Sequence, residues 1–315
     1  GSGRFLMAGE TSLTGTSTQR KRSAAELRRE KLHMMTRTLV LAWHAYAKDK
    51  AAVGALIFMA IVLLVTILAP YISPYDPNDA VGTRGGLPGT DGLILGGDMD
   101  GRDILSRLFW GGRVALLVGV VPTVSATCIA LFLGLLAGYV GGWLDQIIMR
   151  ILDVLFAFPL VLLAIVIAGI LNPGLGTLIF SITIALVPYI SRLVRTITVS
   201  VKQEPYIEAA RAGGAATPTI MMRYILPNML APVIVYSTTL IGLMMVVGSG
   251  LSFLGLGIQP PDADWGTMVS DGRAVLKKAP HATAFPGFII IVVSLAFAFI
   301  GDGLRDALDP RARVR

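Results

Sequence analysis

The residues with reactive side chains are few and widely separated. The single cysteine, Cys128, lies inside an apolar run, and the three histidines stand far apart, without the spacing of metal ligands. The motif G-x-x-x-x-G-K-[ST], which binds nucleotide phosphates, does not occur. We therefore predict no catalytic, metal or ATP-hydrolysing site in this chain. A pump built on it would need an ATPase from another chain.

The most distinctive polar stretch, EPYIEAARAGGAATPTIMMRYILPN at 204–228, lies between long apolar runs. Pro205 suits the first position of a helix, and Glu208 lies near that N-terminus, where negative charge is favoured. The alanines that follow favour a helix and leave it almost without side chains. Gly213-Gly214 predicts the end of this helix.

A second short helix is predicted to begin at Thr217-Pro218, with the threonine as the N-cap and the proline as the first helical residue. Met221 and Met222 give it an adaptable apolar face, and Pro227 is predicted to end it and start the next apolar helix. Two short helices joined by an elbow suit insertion into a groove of another protein. An ordinary connector packed on its own neighbours is the alternative.

Composition indicates which elements surround this stretch. Of the 315 residues, 54% are hydrophobic and 15% charged, with a mean hydropathy of +0.70, whereas a soluble domain is nearer one quarter charged. The net charge of +7 could suggest nucleic acid. The basic residues cluster at the ends of apolar runs, however, which is typical of membrane topology and argues against a nucleic-acid partner.

Runs without charge predict six transmembrane helices in an all-α, polytopic membrane protein, since one span needs about 20 apolar residues. The run 154–191 is too long for one span, so Asn172-Pro173-Gly174 is predicted to be a turn between two helices. The charge-free windows are 51–72, 114–140, 154–191 (two helices), 228–250 and 283–301.

The distribution of basic residues predicts the orientation. Twenty of the 27 lysines and arginines fall on the side that holds both termini, so this side is predicted to be cytoplasmic. The stretch 204–228 lies on the same side. Long loops at about 73–112 and 256–282 then face outward.

Several motifs resemble one family of transport proteins. Glu208-Ala209-Ala210, with Gly214 six residues after the glutamate and Leu226-Pro227 further on, resembles the EAA motif of ABC-importer permeases. The stretches 95–119, 137–159, 251–268 and 301–310 resemble the C-type permeases for dipeptides, oligopeptides and nickel, in the dipeptide-permease branch. Two departures are Tyr224, where isoleucine is usual, and Gly97, where threonine is usual.

The resemblance implies a type I ABC-importer transmembrane domain at 113–306, with a coupling loop at 202–227 that seats in an ATPase subunit. This domain is preceded by a basic, partly disordered tail (1–45) and by a region that holds the first span and a long outer loop (46–112). A second basic tail (307–315) ends the chain. The residues expected to couple transport to ATP hydrolysis are Glu208, Ala209, Ala210, Arg211, Gly214, Leu226 and Pro227. Trp265 and Gly266 are expected to contact a binding protein.

The implied assembly contains a second, paralogous permease, two ATP-binding subunits or domains, and an extracytoplasmic solute-binding protein, all at the plasma membrane. ATP and Mg²⁺ would be bound by the partner ATPases, and this chain would hold no cofactor. The predicted function is import of di- or oligopeptides. The alternatives are import of nickel or another small solute, or a self-contained secondary carrier, which the absence of charge in the middle of the spans disfavours.

Two residue pairs allow a structural and a functional interpretation. Gly134 and Gly138 permit close helix packing, which we expect within the chain rather than between subunits. Arg150 and Asp153 can pair along one helix, and we expect them to anchor the topology rather than bind substrate.

Overall fold

The computed structural model describes residues 43–308, and its compact unit begins at His44. The predicted tails, 1–45 and 307–315, lie almost entirely outside the described residues. The described part is helical, as predicted, apart from loops and two isolated β-bridges. The helices are α1 Lys50–Ile72, α2 Ile104–Val140, α3 Gly142–Phe156, α4 Leu160–Ile170, α5 Leu175–Lys202, α6 Pro205–Ala212, α7 Thr217–Ile220, α8 Leu226–Phe253, α9 Trp265–Gly272 and α10 His281–Leu308.

Five of these helices are long and apolar enough to cross a membrane, and the pair α3–α4 gives a sixth span if its halves are counted together. The two halves meet at 84° across 157–159, where Pro159 precedes α4. An isolated α4 of 11 residues is about 16 Å long, half of a roughly 30 Å hydrocarbon core. The predicted turn at 172–174 is confirmed, since α4 ends at Ile170 and α5 begins at Leu175.

Helix α2 begins ten residues before the predicted start of the second span. Asp103 caps it, accepting the backbone N–H of Ser106 at 2.8 Å and its hydroxyl at 2.6 Å. Arg113 marked the edge of the charge-free window, but its guanidinium donates to the carbonyls of Thr66 and Ile67 at the end of α1. A charge that finds such partners does not end a helix.

The most extensive helix packing joins α2 to α5. A Cβ placed on Gly134 would lie 2.6 Å from the Val194 side chain, and one on Gly138 would lie 2.7 Å from that of Thr198. The two glycines therefore let the helix backbones approach within the chain, as expected. Helix α8 packs on α10 and on α2 and completes the main core.

Candidate functional sites at the two ends of the helices

The first candidate site is the inner loop, residues 203–225. Helix α6 follows α5 after only two residues, and Glu204 stands at its N-cap with Pro205 in the first position, as predicted. Ile207 is fully buried against the main core. This side chain anchors a helix that is otherwise polar and exposed.

Apart from Tyr206, which is 42% exposed, the accessible side chains of α6 are small or charged. Glu208, Ala209 and Arg211 are exposed, while Ala210 is half-buried next to the buried Ile207. Alanines leave the helix backbone accessible to a partner within van der Waals distance. The structure thus brings four predicted site residues together on one short helix.

The elbow after α6 is built around Gly214, whose φ is +78°. The N–H of Gly214 donates to Arg211 O at 3.0 Å, and the N–H of Ala215 donates to Ala210 O at 3.1 Å. These two bonds form a Schellman motif, in which a glycine takes the left-handed position without the strain of a Cβ. The prediction that glycine stops this helix is confirmed.

The second half of the inner loop differs from the prediction. Ala216, not Thr217, occupies the N-cap of α7, and no side chain caps that end. Met222 is 61% exposed and so lies on an accessible face of this segment, whereas Met221 is half-buried. The helical segment that was predicted to end at Pro227 also continues past this residue.

A π-helical turn, Met221–Ile225, instead joins α7 directly to α8. Leu226 is half-buried and Pro227 is exposed in the second position of α8, where its missing N–H is tolerated. The Asn228 side chain donates to Tyr224 O at 2.6 Å, which gives a carbonyl of the π turn a partner. The two predicted join residues therefore continue a helix rather than separate two.

Charged side chains fasten α3 to α5 close to the inner loop. Arg195 donates to both carboxylate oxygens of Asp145 at 2.6 Å, and Arg192 pairs with Asp153 at 2.5 Å. The predicted pairing of Arg150 with Asp153 is therefore wrong, because Asp153 binds the other helix. Arg150 lines a cavity of about 510 Å³ beside these pairs.

The second candidate site is the outer segment, which we define as residues 73–107 and 254–280. Its centre is Arg107, which is 1% exposed at the start of α2. The guanidinium donates to Pro77 O at 2.9 Å and to Pro261 O at 3.1 Å, and its Nε lies 3.4 Å from Asp98. One arginine thus holds two distant loops on the same helix.

Arg102 extends this network. It binds Asp98 at 2.8 Å and Asp100 at 2.7 Å, and Asp271 on α9 lies 4.0 Å away. Burial raises the pKa of Asp271, although the two arginines oppose this effect. The sequence interpretation missed this network because it treated the outer charges only as topology signals.

Trp265 and Gly266 do not form an exposed contact surface in this conformation. Trp265 is 2% exposed, and its indole N–H donates to Leu108 O at 2.9 Å. Gly266 is buried, and a Cβ there would lie 2.7 Å from the Ser252 side chain. Both residues fasten α9 to neighbouring helices, so we do not retain them as direct contacts of a binding protein.

Comparison with known proteins gives the same picture for most of the chain. Residues 130–314 match the family described as "Binding-protein-dependent transport system inner membrane component", and residues 38–84 match the "N-terminal TM domain of oligopeptide transport permease C". A glutathione transport system permease protein of Pectobacterium atrosepticum is 41% identical over 272 residues, which cover 86% of this chain and 90% of the relative.

A dipeptide transport system permease protein of Alkalihalophilus pseudofirmus is 42% identical over 268 residues, covering 84% of this chain and 88% of the relative. Among solved structures, an inward-facing methionine ABC transporter matches with a TM-score of 0.52 at 18% identity, over 64% of this chain and 97% of the other. The structural match supports the fold alone.

Proposed function

This chain belongs to the family of binding-protein-dependent transport system inner membrane components, and on that premise we propose that it imports di- or oligopeptides as one permease subunit of an ATP-driven transporter. Two relatives that are more than 40% identical are named for glutathione, a tripeptide, and for dipeptides. Small peptides are therefore the substrate class that these relatives favour.

The observation that carries the proposal is the form of the inner loop. Helix α6 exposes a face of small residues, is anchored by the buried Ile207, and is followed by the rigid Gly214 elbow. It is joined to α5 by two residues, and through the elbow to the continuous helix that runs from α7 to α8. A partner that displaced α6 would therefore move two membrane-spanning helices.

We propose that this partner is an ATPase subunit that receives α6 in a groove. ATP-driven closure of two such subunits would displace α6 here and its counterpart in a second permease. The attached spans would then expose a pathway alternately to the two sides. Glu208, Ala209, Ala210 and Arg211 would contact the ATPase, and Gly214, Leu226 and Pro227 would set the angle between α6 and α8.

The proposed orientation places the inner loop and both termini in the cytoplasm, as the lysine and arginine distribution favours. The outer segment would then receive a solute-binding protein. The apolar side chains exposed along the spans would contact lipid and the second permease.

The test is to purify the tagged chain from its native membranes in mild detergent and to identify the proteins that accompany it by mass spectrometry. We expect an ATPase, a second permease and a solute-binding protein. A chain that purifies alone, even after cross-linking from a cysteine at position 209, would contradict the proposal. That result would favour a self-contained carrier, which would transport substrate without ATP.

A further inference from the structure

Two ion pairs join α3 to α5, and we name them together the α3–α5 clamp. Asp145 binds Arg195 through two parallel bonds of 2.6 Å, the geometry in which an arginine–carboxylate pair is most directional. Asp153 binds Arg192, whose guanidinium also lies 3.7 Å from the centre of the Phe156 ring. Phe156 is the last residue of α3.

The spacing of the paired residues differs between the two helices. On α3 the two aspartates are eight residues apart, or about 12 Å, whereas on α5 the two arginines are three residues apart, or about 4.5 Å. The arginine side chains are long enough to bridge this difference, so the two pairs attach α3 to α5 at two separate points. Attachment at two points resists a rotation that a single pair would permit.

The clamp lies between the inner loop and the break in the third span. Helix α5 leads into α6 after two residues, and α3 leads into α4 across the 84° bend. The end of α5 is also tied to α2, since Lys202 Nζ donates to Tyr139 O at 2.7 Å. A displacement of α6 therefore reaches the bend through α5 and the clamp.

Solvent exposure indicates that the clamp is not mainly a stabilising device. The side chains of Asp153 and Arg192 are 46% and 39% exposed and that of Arg195 is 37% exposed, while Asp145 is the more enclosed partner at 16%. Ion pairs with this much access to water contribute little to folding stability. The bidentate geometry of the Asp145–Arg195 pair and the attachment at two points therefore serve direction rather than stability.

We propose that the α3–α5 clamp transmits movement of α6 to the broken span α3–α4, with Asp145, Asp153, Arg192 and Arg195 as positioning residues. This inference rests on the proposed function, because it requires that α6 is moved by an ATPase. It adds a second route from the inner loop into the membrane, besides the continuous helix from α7 to α8.

The experiment compares charge reversals in the complete complex reconstituted in lipid vesicles. The variants are Asp145→Arg, Arg195→Asp and the double exchange, and the readout is the number of labelled dipeptides imported per ATP hydrolysed. We expect each single reversal to lower this ratio at least fivefold while ATP hydrolysis continues. The double exchange should restore it to within twofold of the unmodified complex, which a general loss of packing would not do.

Arg150→Asp is the matched control, because it reverses a charge on α3 outside both pairs, and we expect its ratio to stay within twofold. Single reversals that leave the ratio unchanged, or a folded double exchange that fails to restore it, would overturn the clamp. If the reversals prevent assembly, Asp145→Asn and Arg195→Gln serve instead, and unchanged ratios in both would overturn it. Absence of ATP-driven uptake by the unmodified complex would contradict the proposed function, and the clamp with it.

Discussion

Polar residues are buried and paired in the outer segment but exposed in the inner loop. In the outer segment, Arg102 and Arg107 are buried and are bound to carboxylates and carbonyls of the same chain. In the inner loop, Glu208 and Arg211 are exposed, and the hydrogen bonds that define the elbow are backbone bonds. The outer segment is held together by its own charges, while the inner loop leaves its charged side chains accessible to a partner.

This difference separates two kinds of functional region. A buried network of charges costs desolvation and is retained only when its geometry is satisfied, so it fixes the shape of the outer segment. An exposed helix with alanines contributes little to folding, so its sequence is free to fit a partner. Substitutions should therefore affect folding at the outer end and coupling at the inner end.

The largest effect is expected at the outer end, from Arg107→Met. The change leaves the carbonyls of Pro77 and Pro261 without this donor and removes one partner of Asp98. Breaking a buried charge network in this way costs about 3–5 kcal/mol. Thermal unfolding in detergent should show a clearly lower midpoint, while Arg84→Met at an exposed position should leave it unchanged. If Arg107→Met and the unmodified protein unfolded at the same temperature, the outer network would not stabilise the fold and the contrast between the two regions would be wrong.

The next effect is expected at the elbow, from Gly214→Pro. Proline fixes φ near −65°, whereas Gly214 needs +78° and its N–H donates to Arg211 O. A left-handed position costs a residue with a Cβ about 1–2 kcal/mol, and proline more. ATP-driven uptake should fall more than tenfold with little change in the unfolding midpoint. Gly213→Ala is the control, because Gly213 has a φ of −75° that alanine can adopt. Normal uptake by Gly214→Pro would contradict the coupling role of the elbow.

A smaller effect is expected on the exposed face of α6, from Ala209→Trp. The indole fits the isolated chain because the site is exposed, but it overfills a close-packed contact with a partner at a cost of about 1 kcal/mol. Recovery of the ATPase in the purification should fall about fivefold. Ala274→Trp, at an exposed position of the outer segment, should leave recovery unchanged. A normal yield of ATPase with Ala209→Trp would place the contact elsewhere.

The smallest effect concerns Asp264, which is buried and caps α9 through the N–H of Thr267. Burial raises its pKa, with its hydrogen bonds opposing the shift. The folded state thus binds this proton more tightly, so stability falls as pH rises from about 4 through the folded pKa and levels off above it. Asp264→Asn keeps the cap and removes this titration.

The measurement for Asp264 is the unfolding midpoint against pH. Asp271, whose pKa burial also raises, contributes the same trend in both proteins, so the difference between them isolates Asp264. We expect a shallower decline for Asp264→Asn. Identical pH profiles would show that Asp264 does not titrate as its burial implies.

The features that the sequence predicted correctly depend on neighbouring residues. Pro205 at a helix start and Gly214 at a left-handed elbow follow from the conformations that those two residues allow. The spans follow from the length of the charge-free windows, except that the structure breaks the third predicted span by an 84° bend before α4, at Pro159. Such signals lie within a few residues of the structure that they specify.

The features that were missed depend on partners far along the chain. Arg113 was taken as a boundary, but it bonds to carbonyls 46 and 47 residues away. Asp153 prefers Arg192, 39 residues on, to Arg150 on its own helix. The burial of Trp265 depends on Leu108, 157 residues earlier. The dense alternation of aspartate and arginine at 98–107 was the available signal for the outer network.

The most direct test of the account is uptake of labelled dipeptide into vesicles that contain the purified complex, with ATP supplied to the side of the inner loop. We expect uptake only when ATP, the ATPase subunits and the solute-binding protein are all present, and its loss in Gly214→Pro. Uptake of the same peptide by this chain alone, without ATP, would contradict the account and identify a self-contained carrier.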